Sequence, residues 1–360
     1  MSDLILGKES VFHHGIVLDV SPTGFDSGSA SYCSIFSDED NLDRMHLYYS
    51  GATNGQMRNS AIGLATSKNG LQFRKESNEP LLKGTPNSFC SAQAVAPVVT
   101  KIRNRFYMIF SGKSSPDSPR KIGIAYADDP KGPWKIIKEL IKPTYFWEGN
   151  DIDNGPSIVK VDNETIIVYY SSIMSPKAFD IFAILRRYPI RRIGLLKVRI
   201  RGTSSSQIEA MRFSGNPLKH LNGPKGKWNE SIFCPGYVKL ADKHYLFPAT
   251  SIYSKGYPCK QYIGMVTSNS PYFNKKSSRT TILIDGSEER VKILPNAKSE
   301  IFLDTASPYI DTKKHRLFLY YAVADQINET WKTALTTFDL NAGQSDFSQE
   351  NRQAESIRRQ

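Results

Sequence analysis

Short apolar runs alternate along the chain with clusters of Gly, Asn, Asp and Ser, and helical periodicity is nearly absent. The best helical candidate is Ser172 to Tyr188. One apolar pattern recurs: a hydrophobic residue, then Gly or a small residue, then alternating apolar positions. It reads Ile62-Gly63-Leu64-Ala65, Ile122-Gly123-Ile124-Ala125, Ile193-Gly194-Leu195-Leu196 and Ile263-Gly264-Met265-Val266, with a degenerate copy at Thr333-Ala334-Leu335-Thr336. The glycines stand 60, 71 and 70 residues apart, and Ala334 follows 70 later. A period of this kind marks a repeat architecture.

An aromatic run precedes each copy: Leu47-Tyr48-Tyr49, Tyr107-Met108-Ile109-Phe110, Val168-Tyr169-Tyr170, Tyr245-Leu246-Phe247 and Leu319-Tyr320-Tyr321. Aromatic and β-branched residues bounded by turn formers predict strands. A third strand lies ahead of these, opened by Pro97, Pro156, Pro235 and Pro308; in the first unit Cys33-Ser34-Ile35-Phe36 takes that place. Proline at the first residue of a strand costs no ladder bond. The pattern predicts five units, each of at least three antiparallel strands. Five such sheets close best as a ring, because closure removes exposed edges. The expected fold is all-β, a five-bladed β-propeller forming one domain over 1–340, with blades near 20–80, 81–142, 143–218, 219–290 and 291–340. A β-sandwich or a pair of all-β domains would not account for five copies in one motif order. A strand from the N-terminal side, around Gly15 to Val20, is expected to complete the fifth blade. Residues 341–360 read as a polar tail.

Composition adds limits. The 360 residues carry 47 Lys+Arg against 35 Asp+Glu, a net charge of +12. Aromatics at 11% and charged residues at 23% suit a folded domain and exclude a disordered one. No run is long and apolar enough to span a membrane. The first residues lack the basic and apolar regions of a secretory signal, so a cytoplasmic location is expected. Cys33, Cys90, Cys234 and Cys259 form no C-x-x-C pair, which predicts free, mostly buried thiols rather than zinc ligands. Seven cations and no acid fall between Arg186 and Arg201. This run is either a solvated face or a contact for something anionic. No nucleic-acid-binding motif accompanies it.

Phe25-Asp26-Ser27, Tyr32-Cys33-Ser34-Ile35-Phe36, Leu47-Tyr48-Tyr49-Ser50-Gly51 and Ile62-Gly63-Leu64-Ala65-Thr66-Ser67-Lys68-Asn69-Gly70, closed by Phe73, resemble a blade of the five-bladed glycoside hydrolases. That superfamily groups the family 43 arabinanases and xylosidases with invertases and levansucrases. The second unit repeats the pattern weakly, from Ala125 through Asp128-Asp129-Pro130 to Trp134. The resemblance spans roughly residues 15–340.

Glycosidic cleavage needs two carboxyl groups facing each other across the scissile bond. The resemblance implies an Asp from the first blade as base or nucleophile, a middle-blade Asp tuning the acid, and a later-blade Glu as acid. On this chain that suggests Asp26, Asp153 and Glu230. Glu148 and Asp151 are alternatives to Asp153, and Asp304 is expected at the axis. Trp147 and Trp228 either stack on sugar rings at the funnel mouth or plug the core between blades. Plainer roles stand beside these: Asp26 capping a turn, Asp153 in Asp-Asn-Gly turn chemistry, Glu230 in a solvated loop. His13 and His14 are expected on the N-terminal strand. The segment Ser172 to Arg192 reads as a protruding, partly helical excursion able to mediate dimerisation or an anionic contact through 172–201. No cofactor is required, although a structural divalent cation in the channel is compatible with the fold. The expected function is a carbohydrate-active, glycoside hydrolase-like enzyme acting on a glycan. Alternatives are glycosyl transfer or phosphorolysis in polysaccharide metabolism, or glycan binding without catalysis.

Overall fold

The computed structural model describes residues 11–38, 41–55, 57, 59–173, 190–254, 257–275 and 278–340. A lone strand, β1 (Val11–Leu18), comes first. Blade I follows as β2 (Ser29–Asp38), β3 (Asn41–Ala52), β4 (Ala61–Ser67) and the two-residue β5 (Arg74–Lys75). Blade II is β6 (Gln93–Ile102), β7 (Arg105–Lys113), β8 (Lys121–Ala127) and β9 (Lys135–Ile141). Blade III is β10 (Asp151–Lys160), β11 (Thr165–Ile173), β12 (Arg192–Ile200) and β13 (Ile208–Arg212). Blade IV is β14 (Ser231–Leu240), β15 (Lys243–Ser254), β16 (Tyr257–Ser268) and β17 (Arg279–Asp285). Blade V is β18 (Ile301–Asp311), β19 (Arg316–Asp325) and β20 (Lys332–Asp339), with β1 as its outermost strand. Each sheet therefore has four antiparallel strands, and together they form a five-bladed β-propeller.

β1 closes the ring. Val11 pairs with Phe338 and Leu18 with Thr333. Within the described residues the strand covers Val11–Leu18 rather than Gly15 to Val20, and His13 and His14 reach across to the Thr336 and Thr337 hydroxyls at 2.9 and 3.0 Å. The excursion read at Ser172 to Arg192, including the helical candidate, lies outside the described residues from 174 to 189. So do Arg186 and Arg187 of the basic run. The rest of that run is not one face: Lys197 and Arg199 are exposed on β12, Arg201 pairs with Glu209 at 2.9 Å, and Arg191 turns inward.

The core is a set of layers between neighbouring blades. Tyr48, Leu64, Val99 and Phe110 join blades I and II; Ile109, Ile122, Val168 and Tyr170 join II and III. Tyr169, Leu195, Ile232 and Leu246 join III and IV; Phe233, Phe247, Leu303 and Tyr321 join IV and V. Leu47, Tyr49, Phe318 and Tyr320 join V back to I. Alternation along a strand explains the aromatic doublets. Tyr48 and Tyr49 point to opposite faces of blade I, so one feeds each neighbouring layer; Tyr169–Tyr170 and Tyr320–Tyr321 do the same. All six are fully buried. Each hydroxyl donates to, or shares a hydrogen bond with, an internal oxygen: Pro130, Asp26, Pro271, Glu148, Gly70 and Thr336 in turn. A buried aromatic of this kind stabilises by about 2–3 kcal/mol over an exposed one.

The glycine of the Ile-Gly repeat exists for the same packing. A Cβ on Gly123 would lie 1.9 Å from the Phe89 ring, on Gly194 2.6 Å from Trp147, and on Gly264 2.7 Å from Trp228. The strand is kept bare so that an aromatic ring can lie on it.

Candidate functional site

The five innermost strands, β2, β6, β10, β14 and β18, share one irregularity. Pairing slips between Ser31 and Ser34, Val95 and Val98, Asn154 and Ile158, Phe233 and Gly236, and Asp304 and Ser307. At four of these bulges a non-glycine residue takes a left-handed conformation: Tyr32, Ala96, Cys234 and Thr305, with φ of 49°, 51°, 43° and 45°. A bulge re-aims side chains, and left-handed backbone at such residues costs energy that the surrounding structure must hold. Hydroxyls on the second strand of the preceding blade brace three of the bulges, two of them at the left-handed residues Ala96 and Cys234. The Ser50 hydroxyl accepts from the Ala96 N–H at 2.8 Å, Ser111 from Asn154 at 3.2 Å, and Ser171 from Cys234 at 3.0 Å.

The bulges converge on a cavity of about 180 Å³ at the axis. Tyr32, Val95, Ala96 and Cys234 line it from the inner strands, together with the carboxyl-bearing Asp153 and Asp304. Gly55 and Met57 of the β3–β4 connection lie on its rim. The remaining lining comes from a second repeated position, two residues before the first residue of the Ile-Gly motif. That place holds Ser60, Arg120, Arg191, Gln261 and Trp331 in the five units. In four of them its carbonyl accepts from the next inner strand: Ser60 from Ala94, Arg120 from Ile152, Arg191 from Ile232 and Trp331 from Ala30. In blade IV the Gln261 side-chain oxygen instead accepts from Leu303 at 2.6 Å. Arg120, Arg191 and Trp331 extend into the cavity.

The polar groups are tightly arranged. Arg120 Nη1 donates to both Asp153 oxygens at 2.8 and 2.7 Å, and its Nε donates to Gln93 Oε1 at 3.0 Å. Gln93 in turn donates to the Met57 carbonyl at 2.6 Å. Arg191 lies over the Phe233 ring at 4.2 Å, with Nη1 3.8 Å from Asp304 Oδ2. Asp304 Oδ1 accepts from the Thr305 N–H at 2.7 Å and its hydroxyl at 3.0 Å. Burial pushes the Asp304 carboxyl above the ordinary carboxylate range; Arg191 and Thr305 oppose that push without cancelling it. Burial, reinforced by Asp304, also holds the Cys234 thiol and the Tyr32 hydroxyl protonated. Cys234 is therefore no thiolate nucleophile. Trp331 stacks on Phe302 at 5.8 Å and meets Tyr32 at 5.4 Å, forming an aromatic wall.

Of the residues singled out in the sequence, the structure brings Asp153 and Asp304 together in this cavity. Asp26 does not line it. Its carboxylate is buried in blade I, accepting from the Tyr49 hydroxyl at 2.9 Å and paired with Lys75 at 2.6 Å. Glu230 does not line it either; its Oε2 accepts from the Gly226 N–H at 3.0 Å and closes its own turn. Glu148 is fully buried against Arg212, with Tyr170 donating to it at 2.7 Å. Asp151 accepts from the Arg120 N–H at 2.8 Å and pairs with Lys113 at 3.2 Å, so it positions Arg120 from behind. Trp147 and Trp228 plug their blades over Gly194 and Gly264. Cys33, Cys90 and Cys234 are free and buried.

Among the described residues no three His, Cys, Asp or Glu side chains are grouped to hold a metal ion. Guanidinium groups already face the two axial carboxyls, so a divalent cation in the channel does not fit the donors present.

No protein-family model matches the chain, and no curated protein matches its sequence. Solved structures do match its shape. An endo-arabinase from Bacteroides thetaiotaomicron aligns with a TM-score of 0.55 at 14% identity, over 91% of this chain and 99% of that one. A thermostable family-43 glycoside hydrolase aligns at 0.57 and 19% identity over 89% and 92%. A family 117 glycoside hydrolase from Zobellia galactanivorans aligns at 0.58 and 12% identity over 94% and 92%. The chain thus shares the five-bladed propeller fold of these glycoside hydrolases.

Proposed function

We propose that the protein is a carbohydrate-active enzyme of the glycoside hydrolase type, cleaving a glycosidic bond in the axial cavity. The observation that carries this reading is the convergence of Asp153 and Asp304, from separate blades, beside an aromatic wall. Glycosidases divide labour between a carboxyl kept protonated and one kept charged. Asp304 suits the acid, because burial favours its neutral form. Asp153, ion-paired with Arg120, suits the second carboxylate. Trp331 and Tyr32 offer an apolar face for a sugar ring. The family likeness that motivates the substrate class is one of fold, and the same scaffold serves several reactions. Acid–base chemistry between carboxyls needs no cofactor.

The test is release of reducing ends from a panel of polysaccharides and aryl glycosides. Asp304→Asn and Asp153→Asn are each expected to lower turnover at least a hundredfold with the circular dichroism spectrum unchanged. Turnover is also expected to fall as pH rises through the Asp304 titration. Wild-type rates in both variants would overturn the assignment. The Arg120–Asp153 contact at 2.7 Å favours one second reading, glycan binding without cleavage. Saturable binding with no turnover on any substrate would select it.

A further inference from the structure

The face of blade I that packs on blade II changes character along its length. Pairing of β3 with β4 sets His46 opposite Thr66, and pairing of β4 with β5 sets Thr66 opposite Arg74. Strand alternation then carries Tyr48, His46 and Arg44 down one face of β3, and Leu64 and Thr66 down the same face of β4, with Lys68 just past its end. Tyr48 and Leu64 belong to the buried layer between the blades, whereas Arg44, Lys68 and Arg74 are exposed. The layer therefore ends in three cations, and they line an open cavity of about 510 Å³. Acids do not match them. Glu76 is in the lining, but it accepts from the Thr66 hydroxyl at 2.6 Å and from Lys131 of the β8–β9 connection at 2.6 Å. Asp129 caps its own turn, accepting from the Lys131 N–H at 2.7 Å. Among the described residues no acid is paired with Arg44, Lys68 or Arg74. A neutral donor joins them: Asn69 Oδ1 accepts from the Leu71 and Gln72 N–H groups at 2.9 and 3.1 Å, which leaves Nδ2 to donate. The positive field reaches the floor. His46 is buried with no partner on Nδ1, and burial, then Arg44 and Lys131, push it below its ordinary value against the pull of Glu76 and Asp129.

We propose that this outer cavity of blade I binds a tetrahedral oxyanion, a phosphate or sulfate group. Arg44 comes from β3, Arg74 from β5 and Lys68 from the turn between β4 and β5, so an anion held there meets positive charge from three elements. The two guanidinium forks offer paired N–H donors to its oxygens, and the ammonium adds a point charge. The volume lies within the ~300–1,000 Å³ of ligand sites and is more than a bare oxyanion fills, which favours an anion carried as an ester on a sugar or a body of that size. The cavity shares no lining residue with the axial one, and the inference does not rest on the reaction proposed there.

The experiment titrates the full chain by calorimetry at low salt with inorganic phosphate, inorganic sulfate, a glucose phosphate ester, a glucose sulfate ester and glucose itself. At least one ester is expected to bind about tenfold or more tighter than glucose, and added salt is expected to erode that preference. Replacing both Arg44→Met and Arg74→Met should weaken ester binding about tenfold or more, because two charge-assisted contacts are lost while the apolar stems remain. Lys68→Met should weaken it less. The comparison is a chain with Lys197→Met and Arg199→Met, two exposed cations of β12 in blade III, which should bind as the wild type does. Should the double arginine variant fail to fold, each single variant is read against the same comparison. Esters binding tighter than the inorganic ions would assign an esterified sugar as the ligand, and equal binding would assign the free ion; either upholds the oxyanion site. Failure of every anion to bind better than glucose would overturn the proposal. So would an equal loss in the Lys197 and Arg199 variant, which would reduce the effect to net charge. No glycan turnover enters these readings, so the site in blade I and the hydrolase at the axis stand or fall separately.

Discussion

Asp26 and Glu148 do the same work in blades I and III. Each sits just after a large aromatic in the loop before its inner strand. Each accepts a hydrogen bond from the second tyrosine of its blade, Tyr49 or Tyr170, at 2.9 and 2.7 Å. Each is ion-paired with a cation of the outermost strand, Lys75 or Arg212, at 2.6 Å. The acid thus ties the second strand to the fourth across the intervening one. Blade II has Cys90 at this place, where a Cβ on Gly112 would meet it at 2.4 Å.

Asp26→Asn is therefore expected to act on folding rather than on chemistry. It leaves the Lys75 ammonium against Tyr49 with no opposing charge. A loss of about 2 kcal/mol is expected, since removing one partner of a largely buried pair strands the other. Urea denaturation measures the loss, and glycan turnover should stay at the wild-type rate.

Gly236→Ala should be among the most damaging single changes. A Cβ there would lie 2.0 Å from the Ala306 carbonyl oxygen, so the inner strands of blades IV and V could not approach. A cost of roughly 3 kcal/mol or insolubility is expected. Thermal unfolding beside Gly226→Ala gives the check. Gly226 has no atom within 4 Å of its added Cβ, so that variant bears only the strain of a left-handed backbone and should lose less.

Trp331→Ala should weaken glycan binding about tenfold by removing the wall built with Tyr32 and Phe302, whereas Trp331→Phe should keep most of it. Tryptophan fluorescence provides the readout: sugar should perturb the wild-type emission and leave Trp331→Phe unperturbed.

The closing strand and the β17–β18 connection packed beside it carry opposed titrations, on His13 and Glu289. Burial pushes the Glu289 carboxyl up to about 7 from 4.5, so the folded state binds its proton more tightly than the unfolded one. Stability from this group is present below 4.5 and is lost as pH rises through about 7. His13, with Nε2 3.7 Å from Glu289, is lowered from 6.5 by burial. Its contribution is present above 6.5 and is lost as pH falls through the lowered value. Glu289→Gln should raise the melting temperature at pH 8 and leave it near wild type at pH 4. The opposite order would refute the assignment.

The ring was legible because the repeats obey packing rules that act locally. Aromatic doublets feed two layers, and a glycine lies under each plugging ring. The acids were harder to read. Nothing in Phe25-Asp26-Ser27 distinguishes a carboxylate aimed at the axis from one captured by Lys75, some fifty residues on. Glu230 likewise looks like any loop acid until Gly226 closes on it. Asp304 borders a bulge and Asp153 lies one residue before one, and Asp304 immediately precedes a left-handed residue; no local signal announces that conformation in Cys234 or Tyr32. Arg120, Arg191 and Trp331 were within reach. They occupy a fixed offset before the Ile-Gly repeat, but the residue type there varies from blade to blade, so an inspection for similarity passes over them.

Pairing of β1 with β20 joins residues 323 positions apart, as in the His13–Thr336 bond. During synthesis β1 emerges long before β20, and it must wait with an open edge until nearly all the remaining propeller has been made. A permuted chain starting at Asp19, with 11–18 joined by a short turn after Asp339, would convert that distant union into a hairpin. Such a chain should mature sooner and aggregate less while nascent.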